Sequence, residues 1–145
     1  MPVLGEKVML RVRLSAKDAH YAGELVNGAK MLDYFGDVAT ELAIRMDGDE
    51  ALYRTYEHVD FLKPCYAGDF IEYVGWLEKV GNTSHRICFE AWKVIELARD
   101  PNLGESAANL LNPPVLVGRA VGICVTPKNC QRGAQDARFS GIRKA

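Results

Sequence analysis

The sequence has no CxxC pair, no long apolar run, no excess of either charge and no internal repeat. Each absence removes a class of function. The four cysteines, Cys65, Cys88, Cys124 and Cys130, are scattered and have no histidine at zinc spacing, which argues against a structural metal or a disulfide framework. Cys65, Cys88 and Cys124 sit in apolar contexts and read as buried free thiols of a reducing compartment. Cys130 lies in a polar stretch and is the one expected at the surface. A formal net charge of -1 gives no global field toward nucleic acid or an anionic membrane. The opening stretch MPVLGEKVMLRVRL has neither a leader pattern nor a spanning run, so a soluble, cytoplasmic protein is expected.

What is present is a set of clear periodicities. Residues 6–14 alternate as a first strand, and SAKDAHYAG follows as a polar loop. From Leu25 the period changes. Leu25, Ala29, Leu32, Phe35, Ala39, Leu42, Ala43 and Met46 recur at three and four residues, which predicts one long helix ending at Asp47-Gly48-Asp49. Four strands are expected next, over 52–61, 70–80, 85–98 and 115–126, with a turn at KPCYAGD and a hairpin at GNTS. The connector RDPNLGESAANLLNPP is expected to hold one short helix over ESAANLL. The whole of 1–145 reads as one domain, with a core over 1–127 and a polar, basic C-terminal tail over 128–145. One strand, one long helix and four antiparallel strands make an α+β class. A single sheet must bury that helix's apolar face, which about five curved strands wrapped round one central helix would do. This is the hotdog arrangement.

Two segments resemble signatures of the hotdog superfamily. DAHYAGELVNGAKMLDYFGDVATELA (18–43) is similar to the loop-plus-helix of its acyl-CoA thioesterases and hydratases, and VDFLKPCYAGDFIEYVGWLEKVGNTS (59–84) to its strand–turn–strand. DAHYAGELVNGA, FGDVATEL, DGDEALYR, FEAWKVI, PPVLVGRAVG and QRG together resemble the β-aminoacyl-CoA ammonia-lyases, over roughly residues 8 to 133. The resemblance implies reversible elimination of ammonia from a β-aminoacyl-CoA, 3-aminobutyryl-CoA to crotonyl-CoA above all. Coenzyme A is then part of the substrate, and no further cofactor or metal is expected. Alternatives are the β-alanyl-CoA type, an acyl-CoA thioesterase, or a non-catalytic acyl-CoA-binding hotdog module. Aligned from Gly28-Ala29, the thioesterase carboxylate falls on Gly36, one residue before Asp37. One residue turns a side chain about 100° round a helix, so the hydrolase role does not carry over.

Such an elimination needs a base for the α-proton, donors for the enolate oxygen and a path for the amine to leave. Free amides at the start of the long helix are natural donors, and Gly28 and Gly23 would let a ligand approach them; both could instead serve only a turn and tight packing. Asp37 and Glu41 share the polar helix face at a spacing of four and are candidates for base and ammonium holder. Their plainer reading is a solvated face with Glu41 paired to Arg45. His20 sits where the hotdog hydrolases place an Asn or His and is a candidate for acid–base work or for polarising the thioester, or else a plain hydrogen-bonding loop residue; Tyr21 beside it could donate a hydrogen bond. His58 reads as structural and His85 as exposed. With no Gly-rich phosphate loop, the CoA phosphates would fall to Arg119, Lys128, Arg132 and Arg138, or these form a solvated basic terminus. The resemblance further implies a homodimer with a shared active site, or a trimer of dimers.

Overall fold

The structure, a computed structural model, describes residues 2–144. Strand β1 (Leu4–Arg13) leads through two single 3-10 turns and the short strands β2 (Ala19–Tyr21) and β3 (Leu25–Val26) into helix α1 (Ala29–Asp47). Then come β4 (Leu52–Phe61), short β5 (Cys65–Tyr66), β6 (Phe70–Val80), β7 (Ser84–Leu97) and β8 (Ala108–Val125). The main sheet has five antiparallel strands in the order β1-β6-β7-β8-β4, and β2, β3 and β5 form a small second sheet. This is the expected α+β hotdog. Among the described residues, no helix is long and apolar enough to cross a membrane.

Helix α1 lies on the inner face of the main sheet. Met31, Phe35, Val38, Ala39, Leu42, Ala43 and Met46 are buried, and Phe35 stacks on Phe89 of β7 with ring centroids 4.8 Å apart. A buried ring of this kind contributes about 3–5 kcal/mol, judged by truncation to alanine. The helix starts four residues later than the periodicity predicts. Leu25 belongs instead to β3, where it pairs with Tyr66. Apolar spacing alone does not distinguish a strand leading into a helix from the helix's first turn. The C-terminal stop is as expected: Gly48 adopts φ 67° and donates its amide to the Ile44 carbonyl at 2.8 Å.

Two further expectations fail. ESAANLL forms no helix, since Ala108, Asn109 and Leu110 extend β8 and pair with Leu97, Glu96 and Ile95. Pro113 and Pro114 favour extended backbone before them, and β7 offers a free ladder. His85 is not exposed. It begins the inward row of β7, followed by Ile87, Phe89, Ala91 and Lys93, all buried.

The basic segment after Pro127 packs on the core. Phe139 is buried, and Arg143 reaches Asp47 at 2.8 Å and the carbonyls of Gly81 and Ser84 at 2.9 and 3.0 Å.

Candidate active site

At the N-terminal end of α1 a cavity of about 550 Å³ opens between residues 25–31 and the Phe61–Cys65 segment. Its floor is Leu14, Tyr73, Ala91 and Val117, and Tyr21 also lines it. Gly28 is the N-cap of α1; its carbonyl accepts from Met31 N at 3.0 Å, and Asn27 O accepts from Lys30 N at 3.2 Å. The amides of Gly28 and Ala29 find no acceptor among the described residues, as the first turn of a helix requires. A Cβ on Gly28 would stand 2.5 Å from Phe61 Cε1. The bare Cα therefore lets the end of β4 close over the helix start, which is the packing reading of Gly28, at a residue that also borders the cavity.

Gly23 and His20 lie outside this lining. Gly23 has φ 72° in an exposed turn, and a Cβ there would meet nothing, so its glycine answers to backbone conformation. His20 is exposed on β2, its ring 4.9 Å from that of Tyr21. Cys65 borders the cavity, and burial pushes its thiol up to about 11, which keeps it protonated near neutrality.

Asp37 and Glu41 project from the solvent-facing side of α1, further along the helix. Together they border a depression of about 400 Å³ with Thr40, Ile44, Arg45 and Asp136. Glu41 Oε2 accepts from Arg45 Nε at 2.9 Å, and Arg45 Nη1 bridges to Asp136 Oδ2 at 2.6 Å. Hydrogen bonds from Arg138, and then from Arg45, hold the Asp136 carboxyl well below the usual range. The ion pair weighed for Glu41 is thus formed. Asp37 has no ion pair and no side-chain hydrogen bond among the described residues. It also borders a neighbouring depression with Glu50, Tyr53 and Tyr56. Asp37 lies nine positions after Gly28, a rise of about 13 Å along the helix.

Three of the four basic candidates have partners within the chain. Arg119 donates to Asp60 at 2.8 Å, Arg132 to the Gly48 carbonyl at 3.2 Å, and Arg138 to Asp136 at 2.8 Å. Lys128 is exposed and unpaired among the described residues. No group of three or more His, Cys, Asp or Glu among the described residues could hold a metal ion.

Sequence reasoning missed Phe61 and Tyr73 at the cavity, Glu50 and Tyr53 beside Asp37, and the buried pair Lys93–Asp69. Only Lys93 left a signal. It stands where the alternation of FEAWKVI demands an apolar residue.

Residues 23–96 match the thioesterase superfamily. The 3-aminobutyryl-CoA ammonia lyase of Acetoanaerobium sticklandii is 52% identical over 126 residues, 87% of this chain and 98% of that one. The solved structure of the beta-alanyl-CoA:ammonia lyase of Clostridium propionicum superposes with a TM-score of 0.92 at 46% identity, covering 96% of this chain and 97% of that one. A hexameric thioesterase of Yersinia pestis shares the fold at a TM-score of 0.66 and 17% identity, with 93% of this chain and 96% of that one covered. The chain belongs to the thioesterase superfamily of hotdog proteins and, within it, to the family of ammonia lyases that act on aminoacyl-CoA thioesters.

Proposed function

We propose that the protein eliminates ammonia reversibly from a β-aminoacyl-CoA, with 3-aminobutyryl-CoA and crotonyl-CoA as the principal pair. The observation that carries this is 52% identity across 98% of a relative named for that activity, against 46% for the beta-alanyl-CoA enzyme. The reaction asks little beyond an oriented base and an anion site. The thioester acidifies the α-carbon, and coenzyme A is part of the substrate. A carboxylate removes the α-proton, the electron pair passes through the enolate to form the double bond, and the C–N bond breaks with departure of ammonia.

Asp37 is the base in this reading, because it is the carboxylate of the pair without an intrachain partner. Glu41, tied through one oxygen to Arg45, lies one turn on and holds the substrate's β-ammonium group, which leaves as neutral ammonia. The amides of Gly28 and Ala29 hold the thioester oxygen as charge develops, helped by the positive end of the helix dipole. Tyr21 lines the thioester cavity, His20 and Gly23 shape the approach to it, and Lys128 with Arg119, Arg132 and Arg138 meets the CoA phosphates.

The separation of about 13 Å between Gly28 and Asp37 prevents one chain's groups from serving the same acyl carbon. The active site is therefore completed by a second copy, with Asp37 of one protomer facing the helix start of the other. A homodimer is the minimum unit, and a trimer of dimers is consistent with the hexameric Yersinia pestis thioesterase.

The test is spectrophotometric. Crotonyl-CoA should lose its enoyl absorbance in the presence of ammonium, and acryloyl-CoA should do so less efficiently. The reverse preference would make this a beta-alanyl-CoA enzyme. Release of free thiol without loss of the enoyl group would make it a thioesterase, and CoA binding with neither change would leave a binding module.

A further inference from the structure

Lys93 places an ammonium group on the apolar face of the sheet, two residues along the same row from Ala91 of the cavity floor. Its Nζ lies 3.0 Å from Asp69 Oδ2, with side chains 7% and 1% exposed. The same Nζ donates to the Pro64 carbonyl at 3.0 Å. Asp69 Oδ2 accepts the Tyr66 amide at 2.8 Å, and its backbone carbonyl accepts Leu14 N at 2.9 Å. The ion pair and the backbone bonds of Asp69 thus link β7, Leu14 just after β1 and the segment from Phe61 to Tyr66.

That segment is the cavity wall facing the helix start. Its first half is fixed by the amides of Leu62 and Lys63, which both donate to the Val117 carbonyl. At its far half, Pro64 has no N–H to give, so its carbonyl is its only backbone polar handle, and Lys93 takes it. A buried ion pair is a weak source of net stability, because desolvation offsets most of the attraction, and an apolar pair of similar volume often serves as well. Its position, joining the floor of the cavity to its wall, offers a reason for the pair that stability does not.

We propose that Lys93 and Asp69 are positioning residues for acyl-CoA binding: their ion pair sets the spacing between the Phe61–Cys65 wall and the free amides at Gly28. The ligand class rests on the functional reading above. Loosening the wall weakens binding of the thioester and leaves the base at Asp37 untouched.

The test compares the wild type with Lys93→Met, Lys93→Arg and the double variant Lys93→Met/Asp69→Asn, which keeps no buried charge unpaired if the single variant fails to fold. Calorimetric titration with crotonyl-CoA gives Kd, and hydrogen exchange reads the amides of Leu62, Lys63 and Tyr66. Expected in the methionine variants are a Kd and KM raised about tenfold, equivalent to about 1.4 kcal/mol of binding. The kcat at saturating thioester and ammonium stays near wild type, exchange quickens only in the Phe61–Tyr66 segment, and Lys93→Arg recovers most of the affinity. Unchanged Kd in a folded methionine variant would overturn the proposal, as would faster exchange spread over the whole sheet. A wild type that binds crotonyl-CoA but adds no ammonia defeats the lyase reading alone, and the Kd comparison still decides the positioning role. A wild type that binds no crotonyl-CoA overturns both.

Discussion

At its N-terminal end, α1 leaves the amides of Gly28 and Ala29 free and faces a cavity of about 550 Å³. At its C-terminal end, Gly48 caps Ile44, Arg132 N donates to the Asp47 carbonyl, and Arg143 covers the Asp47 carboxylate at 2.8 Å. The same helix is open at one end and sealed at the other. An aspartate in a last turn opposes the helix dipole, so Asp47 is tolerable only with the cation that the C-terminal segment supplies. No such compensation is built at the open end, where an incoming anion would meet both the dipole and the amides. At the sealed end the Asp47 carboxylate is paired within the chain, whereas the Gly28 and Ala29 amides and the Asp37 carboxylate have no partner among the described residues.

Substitutions at the two ends should therefore separate into changes of turnover and changes of stability. The largest effect belongs to Asp37, in the middle of α1, which in the proposed dimer faces the open end of the partner's helix. Asp37→Asn should lower kcat by about 10²–10⁴, the usual range for a general base, with Tm unmoved because Asp37 is exposed and unpaired. At the sealed end, Arg143→Met strands a buried carboxylate and should cost about 3–5 kcal/mol by denaturant unfolding, with kcat per folded molecule unchanged. Lost turnover in fully folded Arg143→Met would break the division.

His85 gives the sealed end a pH signature. Burial, and then the charge of Arg143, pull its pKa from 6.5 down to about 4, with Asp47 opposing. The unfolded chain binds the proton first as pH falls, so the contribution is whole above pH 6.5 and is lost on the way down to about 4. At 1.36 kcal/mol per unit the loss is on the order of 3 kcal/mol, and His85→Gln should flatten that part of the stability profile.

Smaller effects sharpen the open end. Gly28→Ala must displace Phe61 and should cost about 1–3 kcal/mol while raising KM for the enoyl thioester. Glu41→Gln removes a half-exposed pair with Arg45, so its stability change should stay within about 0.5 kcal/mol. Its turnover should fall by less than that of Asp37→Asn.

The sealed end was also the less legible in the sequence. The long helix, its stop at Gly48 and the four strands after it were readable because each has an unbroken period. The docking of residues 128–144 was not, since Phe139 and Arg143 stand in a polar stretch and gain meaning only beside Asp47, far away in sequence. His85 reads as exposed for the same reason: the hairpin is visible locally, but which face of β7 it begins is set by the register with β6 and β8. At the helix start, the spacing of Leu25 mimicked one more helical turn, and only its ladder with Tyr66 shows a strand. Of the proposed site, helical spacing and family motifs coincide at Gly28, Asp37 and Glu41, which is what singles them out. Lys93 and Asp69 were passed over because a charge pair spanning two strands has no local pattern.

The most direct test of ammonia elimination runs the reaction backward. The enzyme is mixed with crotonyl-CoA and isotopically heavy ammonium, and the thioester product is examined by mass spectrometry. The account predicts an aminoacyl-CoA carrying the heavy nitrogen, formed by wild type and scarcely at all by Asp37→Asn. Recovery of crotonyl-CoA unchanged, of its hydrated form, or of free coenzyme A would contradict it.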